Sequence, residues 1–184
     1  MRVISGEFRG RRLATVPGNG TRPTADKVKE SMFNMIGPYF DGGDVLDLYA
    51  GTGALGIEAV SRGMGHGTLV DSAYAAIKTI RENVGLTKAE DQFTILKEPV
   101  SAAIKKFSTS DQSFDLILMD PPYAKQDVIK QLAAFVAGNV IKPGGTVLVE
   151  TGTDVDYPDT IAGYEILRHH EYAVAQVLIL RREA

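Results

Sequence analysis

An α/β fold, a parallel sheet with helices on both faces, is predicted by three features of this 184-residue chain. From residue 44 onward, short apolar runs alternate with stretches of helical periodicity, the pattern of strand, crossover helix and next parallel strand. Residues 45–49 form an apolar run that breaks at Gly51 and Gly53 and passes into Ala54, Leu55, Ile57 and Ala59, so a buried strand, a tight turn and a helix follow one another. A second apolar run, residues 114–119, ends in Asp120-Pro121-Pro122-Tyr123. In open sheets of this kind ligands gather beyond the carboxyl ends of the strands.

Taken in order, residues 2–16 place Val3, Phe8, Leu13 and Val16 so as to predict two short strands about a turn near Gly6 to Gly10. Pro17-Gly18-Asn19-Gly20 breaks the chain. Thr24 can cap a helix over 25–36, whose apolar face is Val28, Met32, Met35 and Ile36 and which Gly37-Pro38 stops. Strands are expected near 45–49, 67–71, 93–97, 114–119 and 145–150. The second helix of the sheet region has Ala73, Ala76, Ile77, Ile80 and Val84 at helical spacing, with Ser72 as N-cap and Gly85 as stop. Further helices are expected over 99–107 and 126–137, and residues 164–168 and 173–180 read as a closing antiparallel hairpin. Residues 1–40 are then an extension, and 41–184 the main domain.

Composition narrows the chemistry. The chain has no Cys, which removes disulfides, thiolate metal sites and cysteine nucleophiles, including C5 methylation of pyrimidines through a cysteine adduct. No run is long and apolar enough for a membrane span and the N-terminus lacks a signal-peptide segment, so a cytoplasmic protein is expected. The formal net charge is −3. Residues 1–30 carry seven Lys/Arg against three acids, a balance of +4 that leaves −7 for the remainder. A basic arm on an acidic body can meet a polyanion locally. His66, His169 and His170 read as surface or hairpin residues, and no metal site is expected.

Gly51-Thr52-Gly53-Ala54-Leu55-Gly56 fits the G-x-G-x-x-G pattern, with Asp71 20 residues past Gly51, where an acid can bind a ribose hydroxyl. The turn alone admits NAD, FAD or S-adenosylmethionine. Asp47 on the preceding strand favours the last. Beside a pyrophosphate its carboxylate would meet like charge, costing roughly 3 kcal/mol at about 5 Å and an effective dielectric near 20; beside the ammonium of a methionine moiety the sign reverses.

Asp120-Pro121-Pro122-Tyr123 suits transfer to an amino nitrogen, whose lone pair is delocalised into its ring. If the Asp120 carboxylate and the Pro121 carbonyl each accept an amino hydrogen, the nitrogen can pyramidalise and aim its lone pair at a methyl group. Pro122 holds Pro121 extended, and Tyr123 offers a face for an extruded base.

These motifs, together with Arg2-Val3-Ile4-Ser5-Gly6, Gly10-Arg11-Arg12-Leu13, Arg22-Pro23-Thr24 and Lys29-Glu30-Ser31-Met32-Phe33-Asn34, make the chain resemble class I S-adenosylmethionine-dependent methyltransferases, and most closely the RsmD-type family that methylates guanine N2 in 16S ribosomal RNA. The resemblance implies a Rossmann-like, seven-stranded, mostly parallel sheet with a C-terminal antiparallel hairpin and an N-terminal hairpin that holds RNA. It implies a cofactor set of Arg22, Thr24, Asp47, Ala50, Gly51, Thr52, Gly53, Asp71, Ser72, Glu98 and Val100. Asp120, Pro121 and Tyr123 are then the catalytic group, and Arg9, Arg11, Arg12, Arg22 and Lys29 the RNA contacts. The chain departs from the family pattern at Asp71, where Glu is frequent, at Lys97-Glu98-Pro99, and at Lys29, where Arg is common. The expected partner is ribosomal RNA or the small ribosomal subunit, met by a monomer. The alternatives are an adenine-N6 methyltransferase of DNA or RNA, a nicotinamide-dependent oxidoreductase, and a non-catalytic RNA-binding assembly factor.

Overall fold

The computed structural model describes residues 1–18, 26–122 and 127–184. The predicted cap Thr24 lies outside them. Period-two burial shapes the centre of the molecule. In β1 (Asp44–Leu48) and β4 (Phe114–Met119), apolar residues point alternately to two cores, Val45 and Leu118 to one and Leu46, Leu48, Ile117 and Met119 to the other. A strand buried on both faces needs helices on both sides. The first core is closed by α1 (Asp26–Ile36), α2 (Ala54–Ser61), α3 (Tyr74–Thr87) and the N-terminal arm, the second by α4 (Val100–Ser108) and α5 (Val128–Ala137).

With β2 (His66–Asp71), β3 (Phe93–Lys97), β5 (Ile141–Thr151), β6 (Tyr164–Glu171) and β7 (Gln176–Arg182), the described residues form one seven-stranded sheet in the order β3-β2-β1-β4-β5-β7-β6. The first five strands run parallel and β7 is antiparallel to both neighbours. The order reverses between β1 and β4, so the ends of these two strands flank the switch point.

Several boundaries differ from expectation: the closing hairpin spans Tyr164–Glu171 and Gln176–Arg182 in place of 164–168 and 173–180, and three further differences have a local cause. β5 starts at Ile141 and takes in Pro143-Gly144-Gly145: its partner on β4 steps from Phe114 to Leu116 while β5 steps from Ile141 to Thr146, so the Pro/Gly segment is accommodated as an irregularity in the ladder. Ser72 does not cap α3. The helix starts at Tyr74, and Asp71 Oδ1 accepts the Ala73 N–H at 2.9 Å. Gly85 does not stop it either, because α3 runs to Thr87 and ends with Lys88 in the left-handed region at φ 56°.

The arm is less regular than two strands. Arg2 and Arg12 form an isolated antiparallel bridge, with Val3 N–H bonding Arg11 O and Leu13 N–H bonding Met1 O, both at 2.9 Å. Val3, Phe8 and Leu13 are buried in the first core. Gly6 sits at φ +91°, and a Cβ there would come within 1.9 Å of the Ser61 carbonyl oxygen, so only glycine lets the arm lie this close to the end of α2.

What pins the arm is Glu58, wholly buried on α2. Its carboxylate accepts the N–H groups of Ile4 at 2.9 Å and Ser5 at 3.1 Å and the Arg62 Nε at 2.7 Å, and lies 3.3 Å from Lys29 Nζ. Lys29 in turn donates to the Arg2 carbonyl at 2.6 Å, while Arg62 spreads over the Phe33 ring and donates to Pro38 O. Lys29 is therefore not an RNA contact, contrary to expectation: its ammonium is sealed between α1, α2 and the arm. Burial pulls its pKa below the ordinary lysine value, with the Glu58 charge and hydrogen bond opposing that shift.

Removing one member of such a cluster leaves a desolvated charge behind. Glu58→Gln is expected to lower unfolding stability by roughly 3–5 kcal/mol in urea titrations. An effect under about 1 kcal/mol would mean that the cluster does not hold the arm down.

Candidate active site

At the carboxyl ends of the parallel strands lies a cavity of about 450 Å³, walled by the β1–α2 turn, the ends of β2, β4 and β5, and Met1, Thr15 and Val16 of the arm. It brings together Asp47, Ala50, Gly51, Thr52, Asp71, Ser72, Val100, Asp120 and Pro121, all expected from the sequence. Two expected cofactor residues do not line it. Gly53 turns toward Ile57, Leu69 and Ile80 in the core, and Glu98 pairs with Lys106 Nζ at 2.9 Å. Arg22, Thr24 and Tyr123 lie outside the described residues.

The turn is shaped by hydrogen bonds that use its own backbone. Tyr49 leaves β1 in the left-handed region at φ 60°, a conformation that costs a non-glycine residue on the order of 1 kcal/mol. Its phenol is held by Gln131 Nε2 of α5 at 2.6 Å. Gly51 N–H donates to Asp71 Oδ2 at 2.9 Å, and Ala50 N–H to Val70 O at 2.8 Å, which ties the turn to the end of β2. Asn83 of α3 spans the arm and the turn: its amide exchanges hydrogen bonds with both backbone groups of Ala14 and also donates to Thr52 O at 2.8 Å. Gly56 has no room for a side chain, since a Cβ would come 2.2 Å from Leu69 Cδ2. That close approach lets its N–H reach Asp47 Oδ2 at 2.9 Å.

Asp47 is 1% exposed and lines the cavity floor. Burial pushes its carboxyl up to about 7; the Gly56 N–H bond pulls the other way, and the Asp71 charge adds to the rise. A cation arriving beside Asp47 would relieve that cost. The donor set thus suits a ligand with an ammonium near Asp47 and hydroxyls near Asp71, which is the chemistry of S-adenosylmethionine.

The wall beyond the end of β4, the strand next to β1, is formed by Asp120 and Pro121, and Pro121 is buried. Glu150, Thr151 and Gly152 of the β5 end complete this wall, as do Tyr49 and the arm residues Met1, Thr15 and Val16. None of these was anticipated. The sequence signal for Glu150 is an acid at the end of an apolar strand run, without the Pro-Pro that distinguishes Asp120. Arg9 and Arg12 are exposed on the arm, and Arg11 lies over the Phe8 ring at 5.5 Å. Among the described residues no group of three or more His, Asp or Glu is placed to hold a metal ion, and no helix is long and apolar enough to cross a membrane.

This sheet order, with a glycine turn and an Asp-Pro-Pro corner opening into one cavity, defines a class I S-adenosylmethionine-dependent methyltransferase. The chain belongs to the family described as "Conserved hypothetical protein 95", whose model matches residues 1–181 and which is the RsmD-type family indicated by the motifs. It is 39% identical over 182 residues, 99% of each chain, to the Bacillus subtilis protein named "Putative rRNA methyltransferase YlbH". It is 27% identical over 186 residues to "Ribosomal RNA small subunit methyltransferase D" of Escherichia coli, covering all of this chain and 91% of that one. The solved structure titled "Putative methyltransferase yhhF from Escherichia coli" superposes with a TM-score of 0.83 at 27% identity, over 100% of this chain and 98% of that one.

Asp47 makes stability depend on pH. Its folded value of about 7 exceeds the ordinary 3.8, so between those limits the folded protein keeps a proton that the unfolded chain has lost. Stability of the ligand-free protein should fall as pH rises from about 4 to about 7, by up to about 4 kcal/mol from this group, and level off above. Asp47→Asn should flatten that slope in urea titrations across the range; an unchanged slope would place the titration elsewhere.

Proposed function

We propose that this chain transfers a methyl group from S-adenosylmethionine to the exocyclic N2 amine of a guanine in small-subunit ribosomal RNA. The observation that carries the reading is the shared cavity, lined both by Asp47 and the glycine turn and by Asp120 and Pro121. The names of the relatives in Escherichia coli and Bacillus subtilis support RNA of the ribosome as the substrate class.

S-adenosylmethionine supplies an electrophilic methyl group on a sulfonium centre whose departure leaves a neutral thioether. Asp47 would hold the ammonium of the methionine part, the turn from Ala50 to Thr52 would lie against it with Gly51 presenting no side chain, and Asp71, fixed by the Gly51 and Ala73 N–H groups, keeps lone pairs for the ribose hydroxyls. The family resemblance assigns Arg22 and Thr24 to the cofactor, and Val100 and Ser72, which line the cavity, are assigned to its nucleoside. Asp120 and the Pro121 carbonyl accept the two amine hydrogens and turn the nitrogen lone pair toward the methyl carbon. Pro122, which has no N–H, leaves that carbonyl uncontested. Once the nitrogen carries the new bond and a positive charge, Asp120 takes its proton, and no stronger base is required. Tyr123 is assigned the stacking face for the extruded base, and Arg9, Arg11, Arg12 and Arg22 the phosphates.

Labelled S-adenosylmethionine offered with 16S ribosomal RNA and with small subunits, followed by nucleoside analysis, tests base and target together. N2-methylguanosine is expected; labelled N6-methyladenosine would overturn the choice of base. Asp120→Ala should lower the transfer rate about 10²–10⁴-fold with RNA affinity within about twofold of native. An equal loss of RNA affinity would make Asp120 a binding residue instead. If four arginines bind phosphate, log affinity should fall against log salt with a slope of about −3 for single-stranded RNA, whereas a flat response removes the arm from the interface.

A further inference from the structure

Strand register places a second carboxylate beside the first. β4 and β5 pair in parallel, Leu118 with Leu148 and Met119 with Val149, so Asp120 and Glu150 occupy the next level on adjacent strands. Leu118 and Leu148, two residues back on each strand, both face the first core, and by the two-residue alternation Asp120 and Glu150 face the same side. Both line the cavity. Neighbouring strands lie about 4.8 Å apart, so the two groups can serve adjacent atoms of one planar ring. Glu150 is 5% exposed, and its backbone pairs with Val177 of β7 as well as lying beside β4, which makes it a rigid mount in the middle of the sheet.

We propose that Glu150 is the residue that selects guanine, by accepting the N1–H of the target base. This rests on the guanine-N2 reading above and deepens it. The Watson–Crick edge of guanine carries three hydrogens side by side, two on N2 and one on N1. Asp120 and the Pro121 carbonyl account for the amine. The N1–H, withdrawn from water with the extruded base, needs an acceptor next to them, and the next strand supplies one at the same level. Adenine reverses this atom: its N1 is a bare lone pair, which a carboxylate repels. The Asp-Pro-Pro corner serves an amine on either purine, so discrimination has to come from a group that reads the neighbouring ring position.

The test uses the full chain and a short ribosomal RNA fragment containing the nucleotide mapped by label, made once with guanine and once with 2-aminopurine at that position. The analogue keeps the amine at C2 but has an unprotonated N1. Native enzyme should prefer guanine in kcat/KM. In Glu150→Gln, whose amide can donate to the bare N1, the guanine to 2-aminopurine ratio should fall about ten- to hundredfold, and Glu150→Ala should narrow it as well. Glu150→Asp, which keeps the charge, should hold the ratio closer to native than either. A ratio within one enzyme is independent of how much of the sample is folded, so a poorly folding variant still reports. Equal losses on both substrates would overturn the assignment, as would an effect confined to the KM for S-adenosylmethionine. A native enzyme that labels no guanine refutes the guanine-N2 reading before any variant is made, and this inference with it.

Discussion

One buried carboxylate keeps the two parts of this molecule together. Glu58 collects two backbone N–H groups from the arm, a guanidinium from its own helix and an ammonium from α1, and the three charged side chains are buried. A charge so placed tolerates no partial arrangement, because each missing partner leaves a polar group desolvated. The consequence reaches the cavity, since the arm anchored at Ile4 and Ser5 also supplies Met1, Thr15 and Val16 to its wall. The extension is part of the pocket as well as a basic surface beside it.

The chemistry is distributed along the edge of the sheet. β1, β4 and β5 are neighbours, and each ends near the cavity in an acid on the same face: Asp47, Asp120 and Glu150. The three differ in surroundings. Asp47 sits under a helix N-terminus with one N–H bond and is costly to ionise alone, while the other two stand two residues further along the neighbouring strands. Like groups set at different depths can thus meet different atoms of two ligands held face to face.

The parts legible in the sequence were those written in local pattern. The strand–turn–helix at residues 44–61 and the Asp-Pro-Pro corner each combine a hydrophobic period with residues whose backbone demands are specific, and both stand where expected. Lys29 was misread because its partner Glu58 is 29 residues away, and a basic residue among basic neighbours looks solvated until the fold buries it. The start of α3 was misread because Asp71 fulfils the local hydrogen-bonding role given to Ser72, while also holding Gly51. Glu150 went unnoticed because its meaning comes from register with β4, a relation between strands that are 30 residues apart in the chain.

Asn83 has a mechanical consequence. A single amide on α3 grips Ala14 at both its backbone groups and Thr52 at its carbonyl. The arm and the β1–α2 turn therefore share one clamp, and neither can slide without loosening the other. By thermodynamic reciprocity, any guest that tightens Thr52 against this clamp changes the affinity of a guest on the arm by the same factor that the second guest returns to the first.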